Sequence, residues 1–312
     1  MLEILNIALP FFGLIVLGGV AGRSWKVGEE GLAWLNIFVL YFALPPLIFM
    51  VVAQTPLEKM ANPAFVLATA SATSICFFLM FAIARKYYHV PTREAALQGT
   101  AAAYGNVGYM GLPLSVAFFG QSAAVPAALV FCFDCTVLFV LTAIFAGLDD
   151  SPQSKLGAVG KILRDVLSHP FNIATILGII ASALQWQPTG GLLSIVDMLK
   201  QAAAPVALFA MGVTVSLRGK PEASGQLGVL GAIKIVVHPL LAFALVWMFS
   251  TADQTWIQVA VMMAALPTAT NAFILARQYN VFVGGAGAAV IATTTCSVVS
   301  IPLIVYLLQR FL

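Results

Sequence analysis

Charge is what this sequence has least of. Lys and Arg number 15 and Asp and Glu 12, together 9% of 312 residues, where a water-soluble domain carries about a quarter. So few charges cannot cover a globule of this size in water, and a formal net charge of +3 is no argument for a nucleic-acid partner. Cysteine is scarce too. Cys76, Cys132, Cys135 and Cys296 all fall inside apolar runs, where a thiolate is disfavoured. The pair Cys132 and Cys135 lacks both the exposed helix N-terminus of a redox motif and the further ligands of a metal site. The cysteines are read as packing residues, and no metal or cofactor is expected. The alternating ten-residue strands of a membrane β-barrel are missing as well. So are a basic stretch before the first apolar run and a small-residue cleavage site after it, which makes that run a retained first span. An enzyme would need a nucleophile with a base, or clustered acids and histidines. One midspan acid, Asp134, and one midspan histidine, His238, in different segments do not supply that.

What the sequence does have is apolar length. Hydrophobic residues make up 61% of the chain and the mean hydropathy is +0.99, the composition of an all-α polytopic membrane protein. A helix needs about 20 residues to cross the hydrocarbon core. Ten segments satisfy that, near residues 4–22, 31–53, 64–86, 95–119, 122–147, 167–186, 191–217, 226–250, 254–277 and 283–309. The loops after spans 1, 3, 5, 7 and 9 hold Arg23, Lys26, Arg85, Lys86, Arg93, Lys155, Lys161, Arg164, Arg218, Lys220 and Arg277, whereas the opposite side holds Lys59 and Arg310. Basic loops stay in the cytoplasm, so both termini are expected outside it, in a bacterial inner membrane. The basic face predicts contact with anionic lipid headgroups.

A shift of 160 residues brings Pro10 onto Pro170, Pro45 onto Pro205, Phe49 onto Phe209 and Gln98 onto Gln258. Residues 1–147 then form a first five-helix repeat, 148–166 a cytoplasmic linker and 167–312 a second repeat. Five is odd, so the second copy enters the membrane from the opposite side, and the repeats are inverted. Such carriers bind their substrate near the midplane, where a helix of each repeat is interrupted. Span 4 carries Gly105, Asn106, Gly108, Tyr109, Gly111 and Pro113, and span 9 carries Pro267, Thr268, Thr270 and Asn271. Glycine at about 1 kcal/mol and proline at about 3 kcal/mol disfavour a continuous helix at both places. The shift puts Val107 on Pro267, so the breaks lie at equivalent depth. Freed N–H groups at a half-helix N-terminus attract a carboxylate. Gly105, Asn106, Gly108, Tyr109, Pro267, Thr268, Thr270 and Asn271 are therefore the candidate site for a small organic anion. Asp134, Lys234 and His238, ionisable residues inside spans, are candidates for coupling, with a pair between Asp134 and Lys234 as one arrangement and a static structural role as the other.

The run Asn106, Met110, Gly111, Pro113, Leu114 resembles the first crossover motif of the auxin efflux carrier family, which includes bacterial malonate-type permeases. Leu266, Pro267, Phe273, Ala276, Tyr279 and Asn280 resemble the second. The resemblance covers the whole chain. It implies a homodimeric carrier with a scaffold of helices 1, 2, 6 and 7 and a transport domain of helices 3–5 and 8–10, moving as an elevator, with helices 4 and 9 crossing at their breaks. Gly105 stands where plant members have the first crossover proline, and Ala272 replaces a second, which would leave the crossover looser. The alternative is a sodium-coupled organic-anion symporter of the bile-acid type, which shares the ten-helix plan.

Overall fold

A computed structural model describes residues 2–25, 28–60, 62–147, 168, 170–217, 225–249 and 253–312. The expected linker at 148–166 lies outside the described residues. Among them every regular element is helical. In chain order they are α1 (Leu2–Ser24), α2 (Glu29–Ile37, a π turn at Phe38–Ala43, then Leu44–Ala53), a short turn at Leu57–Met60 and α3 (Pro63–Tyr87). Next come α4a (Thr92–Ala103), α4b (a π turn at Val107–Gly111, then Leu112–Phe119), α5 (Ala124–Ala146), α6 (Pro170–Ala183) and α7 (Gly190–Leu217). The chain ends with α8 (Gly225–Ala232, a π turn at Ile233–Val237, then His238–Phe249), α9a (Gln254–Ala265), α9b (Thr270–Tyr279) and α10 (Val283–Phe311).

The starts and interruptions have local causes. The Asn62 side chain accepts the Phe65 N–H at 3.0 Å ahead of Pro63, and Asp253 accepts the Trp256 N–H at 3.1 Å, so α3 and α9a begin with a capped turn. In all three π turns the second residue after the turn is a proline: Pro45, Pro113 and Pro239. A proline ring collides with the carbonyl four residues back, and that carbonyl sits within the widened turn, where there is room for it.

Among the described residues seven helices, α1, α2, α3, α5, α7, α8 and α10, are long and apolar enough to cross a membrane. Side chains such as Leu9, Trp34, Leu67, Leu184, Leu240 and Val299 lie exposed on the outer surface around an equally apolar core, which water would not tolerate and lipid does. The protein is a polytopic membrane protein.

Two seams hold helices from the first and second halves of the chain together. A Cβ on Gly18 would fall on the Phe209 carbonyl, one on Gly212 on the Ile15 carbonyl, and one on Gly22 on the Ser216 hydroxyl. Gly18 meets Phe209 and Gly22, one turn later, meets Val213 and Ser216, so α1 and α7 run parallel with their backbones touching, as small residues permit in membranes. The second seam joins α2 to α6, where a Cβ on Gly178 would come within 3.1 Å of the Phe49 carbonyl and 2.8 Å of Val52. Gly18 and Gly178, like Phe49 and Phe209, are 160 residues apart, so the two seams repeat one contact with the partners exchanged.

Candidate functional site

The two expected breaks meet. Helix α4a ends at Ala103, Tyr104 turns extended (φ −77°, ψ 99°), and on the other side Leu266 and Ala269 are extended at ψ 148° and 145°. Backbone polar groups released from a helix in an apolar interior need partners, and each break supplies them to the other. The Asn106 N–H donates to the Pro267 carbonyl at 2.8 Å and the Ala269 N–H to the Tyr104 carbonyl at 2.9 Å, an antiparallel bridge centred on Gly105 and Thr268. The Thr268 hydroxyl donates to the Ala101 carbonyl and its N–H to the Thr293 hydroxyl of α10, both at 2.9 Å. The crossover is tied by backbone and side chain, not loosened by Gly105 and Ala272. Its register also differs from the sequence shift: the bridge relates Asn106 to Ala269 and Tyr104 to Pro267, a spacing of 163, so Val107 and Pro267 are not equivalent. The extended residues are paired through their backbones and leave no apolar pattern by which sequence could register them.

A cavity opens beside this bridge. It is lined by Gly105, Asn106, Gly108, Tyr109, Thr270 and Asn271 from the candidate set, and by Tyr104, Val107, Phe131, Cys135, Phe171 and Ala269. Pro267 and Thr268 do not line it; they serve the bridge. The volume in which a water-sized sphere can centre is about 10 Å³, room for about one water, so anything larger enters only if the walls part. Phe131 of α5 and Phe171 of α6 form one wall with ring centroids 4.8 Å apart. None of the lining residues carries a charge. The first turns of α4b and α9b both face the cavity, and helix N-termini carry partial positive charge.

The polar groups here are poorly matched. The Asn106 amide donates to the Met211 sulfur of α7 at 3.1 Å. The Tyr104 hydroxyl accepts from the Asn271 amide at 3.1 Å and donates to the Cys135 sulfur at 3.4 Å. Thr270, 5% exposed, has a hydroxyl with no hydrogen-bond partner among the described residues. Sulfur is a weak acceptor, so these donors stand ready for a stronger one. Met211, Phe131, Cys135 and Phe171 were invisible in the sequence, because one apolar residue in an apolar span carries no signal.

Behind the bridge lies a second polar group. The Lys234 ammonium donates to the Ala264 carbonyl at 2.6 Å and lies 2.9 Å from His238 Nδ1. His238 Nε2 is 3.2 Å from the Thr73 hydroxyl, which donates to Asp134 Oδ2 at 2.6 Å. Asp134 and Lys234 are thus joined through His238 and Thr73 and not as a direct pair. Asp134 Oδ1 is buried with no partner among the described residues. A Cβ on Gly105 would come within 3.1 Å of the Met263 carbonyl and 3.3 Å of the Lys234 ammonium, so glycine at this position makes room for both. Thr73 is a member that the sequence did not reveal.

Two broken helices crossing at a polar bridge beside a small cavity, in a polytopic membrane protein, are features that comparison with known proteins places in a class of membrane transport proteins. The family described as Membrane transport protein matches residues 4–153 and 151–305, and the chain belongs to it, with the auxin efflux carriers. It is 40% identical over 310 residues to a Rhizobium meliloti (strain 1021) protein named "Putative malonate transporter", covering 99% of this chain and 97% of that one. It is 25% identical to the "Uncharacterized transporter YfdV" of Escherichia coli (strain K12), covering 96% and 95%. To "Auxin efflux carrier component 8" of Arabidopsis thaliana it is 22% identical, covering 89% and 90%. These matches lend no support to the bile-acid alternative.

Proposed function

We propose that the chain is a secondary carrier, active or facilitative, of a small organic anion, a carboxylate of malonate-like or auxin-like kind. The observation that carries this reading is the cavity itself: two half-helix N-termini and under-used N–H and O–H donors face a space with no acidic side chain. A carboxylate satisfies such donors better than sulfur does. The name of the Rhizobium meliloti relative points to the same substrate class. The mechanism is elevator-type alternating access, with α3, α4, α5, α8, α9 and α10 moving against α1, α2, α6 and α7. The near-closed cavity favours a carrier whose walls must part over an open pore.

The ten segments act as ten spans in two inverted repeats. The exchanged seams of Gly18 with Phe209 and Gly178 with Phe49, and the reciprocal bonds at the crossover, support that arrangement. Both termini lie outside the cytoplasm of a bacterial inner membrane, on the lysine and arginine count, and a homodimer through the scaffold helices follows from the family resemblance. The chain of Asp134, Thr73, His238 and Lys234 couples a proton to movement, because it runs from an unpartnered carboxylate oxygen to the backbone of the break at Ala264.

Thermal stabilisation of the detergent-purified protein tests the substrate reading. Malonate and other mono- and dicarboxylates, with and without sodium and at two pH values, should raise the unfolding midpoint with concentration, and Asn106→Ala should abolish the rise. A rise only with neutral or cationic solutes would overturn the anion reading. For coupling, Asp134→Asn should remove the pH dependence of carboxylate uptake into proteoliposomes, and unchanged pH dependence would end that assignment.

A further inference from the structure

Resting on the carboxylate reading above, we infer that Met211 is an internal competitor for the substrate: its thioether accepts the Asn106 N–H that a carboxylate takes on binding. The contact is 3.1 Å long and buried, with Asn106 4% and Met211 1% exposed. A primary amide in a dry interior needs an acceptor, and a thioether is among the weakest a protein has. Holding an amide donor permanently calls for a carbonyl; holding it so that a carboxylate can take it calls for something weaker.

The two partners sit on unlike supports. Met211 precedes Gly212, whose Cα lies against the Ile15 carbonyl in the α1–α7 seam, so its backbone is fixed. Asn106 stands at the break in helix 4, held by its N–H to Pro267 on the other broken helix. Within the cavity, the Tyr104 contacts to Cys135 and Asn271 join elements of the proposed moving group to each other. The Asn106 to Met211 bond instead joins the moving group to the fixed one. Its exchange for a bond to substrate would release the crossover from α7 at the moment of loading, with Thr270, whose hydroxyl has no partner among the described residues, as the second donor to the same carboxylate. Met211 thereby acts as a positioning residue through Asn106 and sets both affinity and the link between loading and release.

Two substitutions of opposite sign test this on the full-length purified protein, with malonate as the probe. Met211→Leu keeps the bulk and removes the acceptor, so the malonate dissociation constant should fall roughly two- to tenfold, the range of one hydrogen bond. Met211→Gln offers an amide oxygen, a stronger acceptor, and the constant should rise by a similar factor. Added to Asn106→Ala, which should abolish the malonate response, neither substitution should restore it. The midpoint without malonate shows that each variant is folded, and a variant that fails to fold leaves the other to decide. Weaker binding in Met211→Leu would make Met211 a packing wall of the site and overturn the inference. Unchanged binding in both variants would mean that the second N–H of the amide serves the substrate while Met211 keeps the first, which overturns it too. If the wild type itself ignores malonate and every other carboxylate, it is the carboxylate reading that has failed.

Discussion

The α1–α7 seam and the crossover of α4 and α9 both bring backbones from the two halves of the chain into contact through glycine, yet they are built in opposite ways. At the seam the glycines sit inside unbroken helices, whose N–H and C=O groups are already paired, and what meets is surface against surface. At the crossover the helices are interrupted, and the contact is a pair of backbone hydrogen bonds between extended residues. The first arrangement leaves nothing for a ligand to use. The second leaves donors over at Asn106, Tyr104 and Thr270. Continuity of the helix decides whether a glycine contact is inert or reactive.

The comparison breaks most visibly at the seam. Gly212→Val places a branched side chain on the Ile15 carbonyl, and overpacking against backbone that cannot yield should exceed the usual range of about 1–3 kcal/mol. The folded, monodisperse species should be lost on size exclusion; a normal elution profile would mean that the helices can separate there. Lys234→Met comes next. It strips the Ala264 carbonyl and the Nδ1 of His238 of the ammonium they face, and an orphaned buried polar group costs about 1–3 kcal/mol. A lower midpoint, together with altered pH dependence of uptake, is expected.

Thr270→Val separates stability from function. The variant removes a buried hydroxyl that has no partner among the described residues, so the midpoint should hold or rise, while carboxylate affinity falls about tenfold for the loss of one charge-assisted bond. A fall in both would make Thr270 structural. The smallest effect is expected at Gly105→Ala, whose Cβ would sit 3.1 Å from the Met263 carbonyl and 3.3 Å from the movable end of Lys234. A shift within about 1 kcal/mol is expected from so slight a crowding, read as a small change in midpoint with substrate binding retained.

The helices were legible because lipid demands long apolar runs, and the breaks because Gly105, Gly108, Pro113 and Pro267 contradict a continuous helix. Six of the eight candidate site residues line the cavity. Pro267 and Thr268 face the wrong way for that role because their backbone and hydroxyl groups close the bridge, a distinction that depends on which side of an extended segment a group points. The three-residue slip in register at the crossover was hidden for a related reason: the shift of 160 was set by residues in α1, α2, α6 and α7 and by a glutamine pair, none of which lies in the breaks. Met211, Phe131 and Phe171 could not have been picked out, since their role comes from what faces them. Thr73 was equally silent, a small hydroxyl whose meaning depends on Asp134 and His238 arriving from other helices.

Lys234 also bears on how the protein is made. A lysine within a membrane segment opposes insertion by about 2.5–3.5 kcal/mol, and the carbonyl that holds this one, at Ala264, belongs to the helix that follows α8 in the chain. Within its own helix the ammonium has His238, and α3 already offers Thr73 to that histidine, but the 2.6 Å bond to the Ala264 carbonyl waits for α9a. The order of synthesis therefore makes the late helices a condition for the lasting settlement of an earlier one.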